Sequence, residues 1–217
     1  MSVRTVAGVF AIIFGFSGFN SCGASVSIDA AAFGWYAEDG RNDPANIDTF
    51  TGTYVINYRS WFLFDLSSVP TPVTSVTLQL ETEAEWSPLS QGVNVFDVAS
   101  SKAELIKPHE KDNPVSEAIY ADLGSGSLLG TYYFGQVGQV YDLSLDSQAL
   151  FDINNSTDHL FAVGLDAGDG GVRFSFVADQ PKIHRLVITT VPEPQSLLLS
   201  MIPVVAFQFS TFRFRRD

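Results

Sequence analysis

The alternating stretch Val76-Thr77-Leu78-Gln79-Leu80-Glu81-Thr82-Glu83-Ala84-Glu85-Trp86 decides the fold that this sequence predicts. Apolar or small side chains occupy every second position from Val76 to Trp86, and polar or acidic side chains occupy the positions between them. Successive side chains of a β-strand point to opposite faces, so this period of two residues is typical of a strand with one buried face. We therefore expect a strand that covers a core on one side and meets solvent on the other.

A second stretch, Arg59-Ser60-Trp61-Phe62-Leu63-Phe64-Asp65-Leu66, is apolar at consecutive positions. This pattern favours a strand that is buried on both faces, deep in a sandwich. The sequence predicts one short helix at 147–153, capped by Asp146 or Ser147. Further strands are expected at 92–98, 130–134, 139–143, 160–165, 172–177 and 183–189.

Turn-forming residues separate these segments, in particular the proline-containing stretch 67–72 and the glycine-rich stretches 124–127 and 167–171. Many short strands rich in aromatic and β-branched residues are typical of an antiparallel all-β domain. We predict one β-sandwich domain at 25–190, and more specifically a jelly roll.

The C-terminal 27 residues have a different composition. Val191-Pro192-Glu193-Pro194 is followed by an apolar run from Ser196 to Phe212 and then by a basic terminus with Arg213, Arg215 and Arg216. Both prolines lack an amide donor, so we expect the folded domain to end here. As a helix the apolar run would rise about 25 Å, close to the ~30 Å hydrocarbon core of a membrane. The arginines favour a transmembrane helix with a cytoplasmic C-terminus.

In this order, Val-Pro-Glu-Pro, an apolar helix and an arginine-rich terminus resemble the PEP-CTERM sorting signal of Gram-negative bacteria. The resemblance covers 191–217 and implies that the chain is a substrate of an exosortase, a membrane enzyme that processes proteins near this motif. It further implies an inner-membrane-anchored precursor that reaches the cell surface or the extracellular space, in a bacterium that secretes exopolysaccharide. An ordinary C-terminal membrane anchor is the alternative.

The N-terminus has the pattern of a secretory signal peptide. Arg4 is followed by an apolar region from Val6 to Phe19 and by small residues up to Ala24. We predict a signal peptide at 1–24 with cleavage after Ala24. A lipoprotein in which Cys22 is acylated is the alternative. With cleavage after Ala24 the only cysteine is removed, so the mature domain has no disulfide.

The domain at 25–190 is strongly acidic. The whole chain has a formal net charge of −12, and without the charged residues outside 25–190 the domain keeps 8 basic and 22 acidic side chains, a net of about −14. Such a surface should not bind nucleic acid or anionic lipid through bulk electrostatics, so we expect no nucleic-acid partner. The charge favours solubility in a secreted matrix or the binding of cations.

The domain also resembles a known group of jelly-roll domains. Asn57-Tyr58-Arg59-Ser60-Trp61-Phe62-Leu63-Phe64-Asp65-Leu66-Ser67, followed by Ser75-Val76-Thr77-Leu78-Gln79-Leu80, is similar to a pattern of DNRLRE-type domains. Later segments at 140–144, 160–165, 172–176 and 181–188 are similar to the second half of those domains. The resemblance implies a relation to alginate-binding carbohydrate modules. Its matching residues are core and turn residues, so they support the fold more than any ligand.

The sequence offers little for catalysis. Glu81, Glu83 and Glu85 have the alternation of one strand face and would lie about 7 Å apart, within the range of paired glycosidase carboxylates, although a solvated strand face explains the pattern more simply. The sequence contains neither G-x-S-x-G nor H-E-x-x-H. We therefore expect a non-enzymatic protein, with a polysaccharide hydrolase or lyase as a lesser alternative.

An oxygen-rich loop is the candidate for a metal site. Glu38, Asp39, Asp43 and Asp48 lie in one Gly- and Pro-containing stretch, and Asp166–Gly171 is a second candidate. Ca²⁺ takes about six to eight oxygen ligands, and neither loop has the spacing of an EF-hand. The alternative is that Asp and Gly serve ordinary turns. The expected cofactor set is therefore none, or a structural Ca²⁺ ion in the first loop.

Sugar binding needs exposed aromatic side chains. Trp35, Tyr36, Tyr54, Trp86, Tyr132 and Tyr133 are available, and Trp86 and Tyr36 are the predicted ligand-binding residues. Packing in the core or at a sheet edge is the alternative for each of them.

Arg59 begins a central strand, so we expect its guanidinium to be buried and paired with a carboxylate, either Asp65 or Asp142. A buried arginine without a partner would be costly, because its charge would lose its hydration.

The terminal signals and the acidic β domain together predict an exported cell-surface or matrix protein associated with exopolysaccharide. A carbohydrate-binding module for an anionic polysaccharide is the alternative.

Overall fold

The computed structural model describes residues 23–87, 92–168, 170–175 and 182–191. Nearly all of the predicted signal peptide and the predicted sorting signal beyond Val191 lie outside these residues. None of the helices within the described ranges has both the length and the apolar character needed to cross a membrane.

The described residues form two antiparallel sheets that face each other, as expected for an all-β sandwich. The smaller sheet has the order β1-β12-β5-β9, and its strands are β1 (Ala24–Asp29), β5 (Val73–Glu81), β9 (Val140–Ser144) and β12 (His184–Thr190).

The larger sheet has the order β6-β11-β3-β4-β10-β7-β8, and β2 pairs with β4 off this path. Its strands are β2 (Ala32–Ala37), β3 (Thr49–Thr53), β4 (Asn57–Asp65), β6 (Ala84–Ser87), β7 (Val93–Asp97), β8 (Leu128–Tyr132), β10 (Leu160–Asp166) and β11 (Gly171–Ser175). The described helices are α1 (Lys102–Leu105), α2 (Pro114–Asp122) and α3 (Ser147–Asn155).

The predicted strand from Val76 to Trp86 is divided between the two sheets. Its first part has the expected alternation, since Val76, Leu78 and Leu80 are buried while the residues between them are more exposed. After Glu81 the backbone amides change their hydrogen-bonding partners from one sheet to the other. The Thr82 amide donates to Gln139 O beside β9 (3.0 Å), whereas the Glu83 amide donates to Arg173 O on β11 (2.8 Å). The prediction of one continuous strand was therefore wrong, because the chain crosses to the other sheet at Thr82.

Strand β4 is buried on both faces, as its composition predicted. Phe62 and Phe64 face the core between the two sheets, where they pack with residues such as Leu78. Trp61 and Leu63 point the opposite way, into a second cluster that includes residues of α1 and α2. A strand with apolar side chains on both faces needs a cover on both, and here the second cover is helical.

The structure contains helices and strands that the sequence patterns did not predict. Asn113 caps α2 through its side chain, which accepts from the Val115 amide (2.9 Å), and Pro114 occupies the first turn. These residues form a standard helix start, but nine residues are too few to show a clear 3.6-residue period. The predicted α3 is confirmed, with Asp146 as its N-cap. Strands β1 to β3 were not anticipated.

Candidate functional site

A cleft of about 360 Å³ lies where β2, β3, β4 and β11 meet the loop that precedes β3. Aromatic rings and charged or amide side chains both line it. The lining residues are Trp35, Arg41, Asn46, Asp48, Phe50, Tyr54, Tyr58 and Arg173. The lining therefore comes from the larger sheet and from the loop that precedes β3, and no described residue of the smaller sheet contributes to it.

Three rings on neighbouring strands form the wall of the cleft. The rings of Trp35 and Tyr58 meet edge to face with centroids 5.5 Å apart, and Phe50 meets Tyr58 at 5.6 Å. Side chains alternate along β2 and β4, so Trp35 and Tyr58 share the face that Phe33 and Phe62 use in the inter-sheet core. The aromatic wall thus continues the core face, with Phe50 buried and Trp35 and Tyr58 partly exposed.

Two glycines allow the strands to approach closely behind this wall. A Cβ atom on Gly171 would lie 2.6 Å from the Phe50 ring, so only glycine lets that ring lie in its present place. Gly52 has a φ of 115°, which L side chains rarely adopt, and a Cβ atom there would lie 2.0 Å from Gly170 O. The position of the Phe50 ring therefore depends on the absence of a side chain at Gly171 on β11, while Gly52 lets β3 itself approach Gly170 closely.

The balance of positive and negative side chains in the cleft differs from that of the whole domain. Arg41 and Arg173 contribute two guanidinium groups, and Asp48 contributes one carboxylate. Arg41 also lies 3.4 Å from Asp39, and its side chain is about half exposed. A domain with a net charge of about −14 therefore places two of its few cations beside its aromatic wall.

The two residues predicted to bind a ligand do not lie together in this cleft. Tyr36 is completely buried in the second core, and its hydroxyl donates to Leu105 O (3.1 Å). Burial raises the pKa of Tyr36 to about 12. Tyr36 therefore packs in the core, which was the alternative to binding a ligand. Trp86 lies on β6, beside β11, and its side chain is outside the described atoms.

The loop predicted to hold calcium uses its carboxylates for local contacts. Glu38, Asp39 and Asp43 do not converge; the contacts are Asn57 Nδ2 to Glu38 (2.7 Å), Arg41 Nε to Asp39 (3.4 Å) and the Ala45 amide to Asp43 (3.0 Å). Asp48 instead lines the cleft. Within the described ranges, no three His, Cys, Asp or Glu side chains are grouped to hold a metal ion. The structural Ca²⁺ ion stays a prediction.

Glu81, Glu83 and Glu85 do not form one strand face. Glu81 ends β5 in the smaller sheet, where Lys182 donates to its carboxylate (3.4 Å). Glu83 lies in the crossover between sheets, and Glu85 lies on β6 in the larger sheet. The crossover at Thr82 separates the carboxylates that the alternation had placed in a row.

The carboxylate partner of Arg59 is neither of the two predicted residues. Arg59 Nη2 lies 3.3 Å from Asp166 Oδ2, on the adjacent strand β10. Asp65 instead accepts a hydrogen bond from the Ser67 amide (2.9 Å), which lowers the pKa of its carboxyl, and Asp142 accepts from Gln79 (2.7 Å). Arg59 points away from the inter-sheet core, toward α2, and Asp142 lies on the other sheet.

The cleft is suited to bind a ligand that combines flat apolar faces with negative charge. Aromatic rings pack against the C–H faces of sugars, and guanidinium groups donate paired hydrogen bonds to carboxylates. Trp35 and Tyr54 were among the aromatic candidates, while Phe50, Tyr58, Arg41 and Arg173 were not. Arg173 is distant in sequence and lies beside Phe50 only through the pairing of β11 with β3, and Phe50 meets Tyr58 through the pairing of β3 with β4. No protein-family model and no curated protein matches this chain.

Proposed function

We propose that this chain is an exported, non-enzymatic protein of the cell surface or extracellular matrix that holds acidic exopolysaccharide in the aromatic cleft. Its β-sandwich is of the jelly-roll type. A signal peptide at 1–24 directs it across the inner membrane, and a transmembrane helix within 191–217 anchors the precursor there until an exosortase processes it.

The observation that carries this proposal is the composition of the cleft. Trp35, Tyr54 and Tyr58 offer ring faces, and Arg41 and Arg173 offer cationic donors within a domain that is otherwise strongly acidic. A neutral sugar would gain nothing from these cations, whereas the carboxylate of an acidic sugar can pair with a guanidinium group at this part of the surface. Uronic-acid polymers provide both a stacking face and a carboxylate in each residue.

The ends of the domain support the anchored arrangement. Ala24 pairs with Thr190 across β1 and β12, so the chain enters and leaves the domain at the same place. Val191 follows directly, and its amide donates to Pro72 O (3.2 Å). A membrane segment after Val191 would therefore leave the domain beside the N-terminus of the mature chain.

Binding to matched polymers tests the saccharide part of the proposal. Full-length chain in detergent is titrated with a polyuronate and with the same polymer after chemical reduction of its carboxyl groups. We expect binding to the polyuronate, and binding to the reduced polymer that is at least about tenfold weaker. Equal binding to both, or binding to neither, would contradict a site for acidic sugars.

Processing in a host that contains an exosortase tests the sorting part. Replacement of Pro192, Glu193 and Pro194 by alanine should abolish processing and leave a membrane-bound precursor. Loss of the enzyme should have the same effect on the unaltered chain. The same fate of the chain with and without the enzyme would contradict the sorting proposal, and a precursor that stays membrane-bound in both hosts would favour an ordinary membrane anchor.

A further inference from the structure

The first and last described strands pair with each other. Strand β1 is an edge strand whose ladder with β12 runs from Ala24, opposite Thr190, to Asp29, opposite Arg185. The predicted signal-peptide cleavage site, between Ala24 and Ser25, lies inside this ladder. In the folded domain the bond to be cut is therefore part of a β-sheet.

The contacts around that bond are close. The Ala24 carbonyl oxygen, which belongs to the bond, accepts a hydrogen bond from Thr190 Oγ1 (3.4 Å), and Thr190 is almost completely buried. On the other side of Ala24, a Cβ atom on Gly23 would lie 2.7 Å from Thr189 Cγ2 and 2.8 Å from Thr190 O. The chain immediately before the bond is therefore pressed against the end of β12.

A peptide segment that is paired in this way is a poor protease substrate. Proteases hold their substrates in an extended form and use the same backbone groups that a neighbouring strand uses. Cleavage of a paired strand therefore waits for local opening, and its rate follows the population of the open form.

We propose that the pairing of β1 with β12 closes the N-terminal processing site, so that signal-peptide removal must precede the docking of β1. This inference rests on the proposed export of the chain. The signal peptidase hydrolyses the bond with one water molecule, which leaves a carboxylate on Ala24 and an ammonium group on Ser25. Residues Ser25 to Asp29 then remain to pair with β12.

The position of β12 in the chain provides the time for this step. It ends at Thr190, two residues before Pro192, so it is the last part of the domain to cross the membrane. Until it arrives β1 has no partner, because β12 is the neighbour that separates β1 from β5. The order of the strands therefore keeps the processing site open during export and closes it when the domain is complete.

An order-of-addition experiment tests this inference. Unfolded full-length precursor is diluted into detergent, and purified signal peptidase is added either at the moment of dilution or after refolding is complete. We expect cleavage between Ala24 and Ser25 in the first case, and cleavage at least about tenfold slower in the second. Mass spectrometry of the product identifies the bond that was cut.

A variant distinguishes protection by β1 from general inaccessibility. Ile28 packs against the inter-sheet core, so Ile28→Asp should loosen β1 while the remaining strands hold the domain together. The refolded variant, with a folded circular-dichroism spectrum, should be cleaved nearly as fast as during refolding. Tyr133→Asp, at a side chain that is 66% exposed, is the control and should stay protected.

The possible outcomes distinguish a failure of this inference from a failure of the proposed signal peptide on which it rests. Equal cleavage of the unaltered precursor before and after refolding would overturn the inference, but the prediction of a signal peptide at 1–24 would still hold. Continued protection of a folded Ile28→Asp precursor would also overturn it. Absence of cleavage at this bond under every condition would show that the predicted signal peptide is wrong, and the inference would fail with it.

Discussion

Arg59 and Asp166 form an ion pair across neighbouring strands, with Nη2 of the arginine 3.3 Å from Oδ2 of the aspartate. The same guanidinium donates to the Tyr120 carbonyl oxygen (2.8 Å) and lies 4.4 Å from the centre of the Tyr120 ring. Tyr120 is near the C-terminal end of α2, where the helix carbonyls carry partial negative charge. Arg59 thus joins the central strand of the larger sheet to the helix that covers its outer face.

Replacement of Arg59 by methionine tests this connection. Methionine preserves the apolar contact with Tyr120 but removes the ion pair and the hydrogen bonds to α2. We expect the free energy of unfolding to fall by about 1–3 kcal/mol, because a largely buried carboxylate and helix carbonyls lose a charged donor. Lys107→Met, which removes an exposed pair with Glu104, is the control and should cost less than about 1 kcal/mol. Similar losses in denaturant titrations of the two variants would contradict the assigned role.

The close approach of α2 to β10 gives a second prediction. A Cβ atom on Gly164 would lie 2.4 Å from Leu123 O, which is backbone and cannot turn aside. Gly164→Ala should therefore force the end of α2 away from the sheet and lower the free energy of unfolding by about 1–3 kcal/mol. Gly135→Ala is a matched control, since nothing lies within 4 Å of a Cβ atom there. Thermal unfolding of the two variants measures the difference.

A buried histidine predicts how stability changes with pH. His184 is 4% exposed and packs between the rings of Phe33 and Phe62. Burial lowers its pKa from 6.5 to about 4, against the smaller opposing effects of a hydrogen bond to Phe174 O and of Glu81. At a pH between 4 and 6.5, His184 is therefore protonated in the unfolded chain and neutral in the folded domain. The free energy of unfolding should therefore decrease by about 3 kcal/mol as the pH falls from 6.5 to 4.

Comparison with His184→Phe isolates this contribution from that of the carboxylates. The variant loses stability at neutral pH because Phe174 O loses a donor, but its free energy of unfolding should fall less steeply between pH 6.5 and 4. Denaturant titrations at a series of pH values give the two slopes. Equal slopes would show that His184 is protonated as readily in the folded domain as in the unfolded chain.

The sequence predicted those parts of the fold that depend on local pattern. The burial of β4 on both faces followed from its consecutive apolar residues, and α3 followed from its cap. The end of β5 was not predictable in this way, because Thr82 and Glu83 continue the alternation and only their tertiary partners show that the strand changes sheets. Arg59 shows the same limit, since both of its predicted partners were chosen without knowledge of strand order.

The candidate site was less predictable than the fold. Aromatic side chains suit a core and a binding surface equally well, so Tyr36 and Trp35 could not be distinguished by residue type. They are neighbours on β2 and point to opposite faces, one to the second core and the other to the cleft. Which face remains open depends on how far the smaller sheet extends, and that is a property of the whole sandwich.

Binding of an oligouronate to cleft variants, measured by calorimetry on the full-length chain, tests the central claim most directly. Trp35→Ala removes a stacking ring and Arg41→Ala removes a cation, and each should weaken binding at least about tenfold. Tyr133→Ala removes an exposed ring outside the cleft and should bind as the unaltered chain does. Unchanged affinity in both cleft variants, with all of the proteins folded, would contradict the claim.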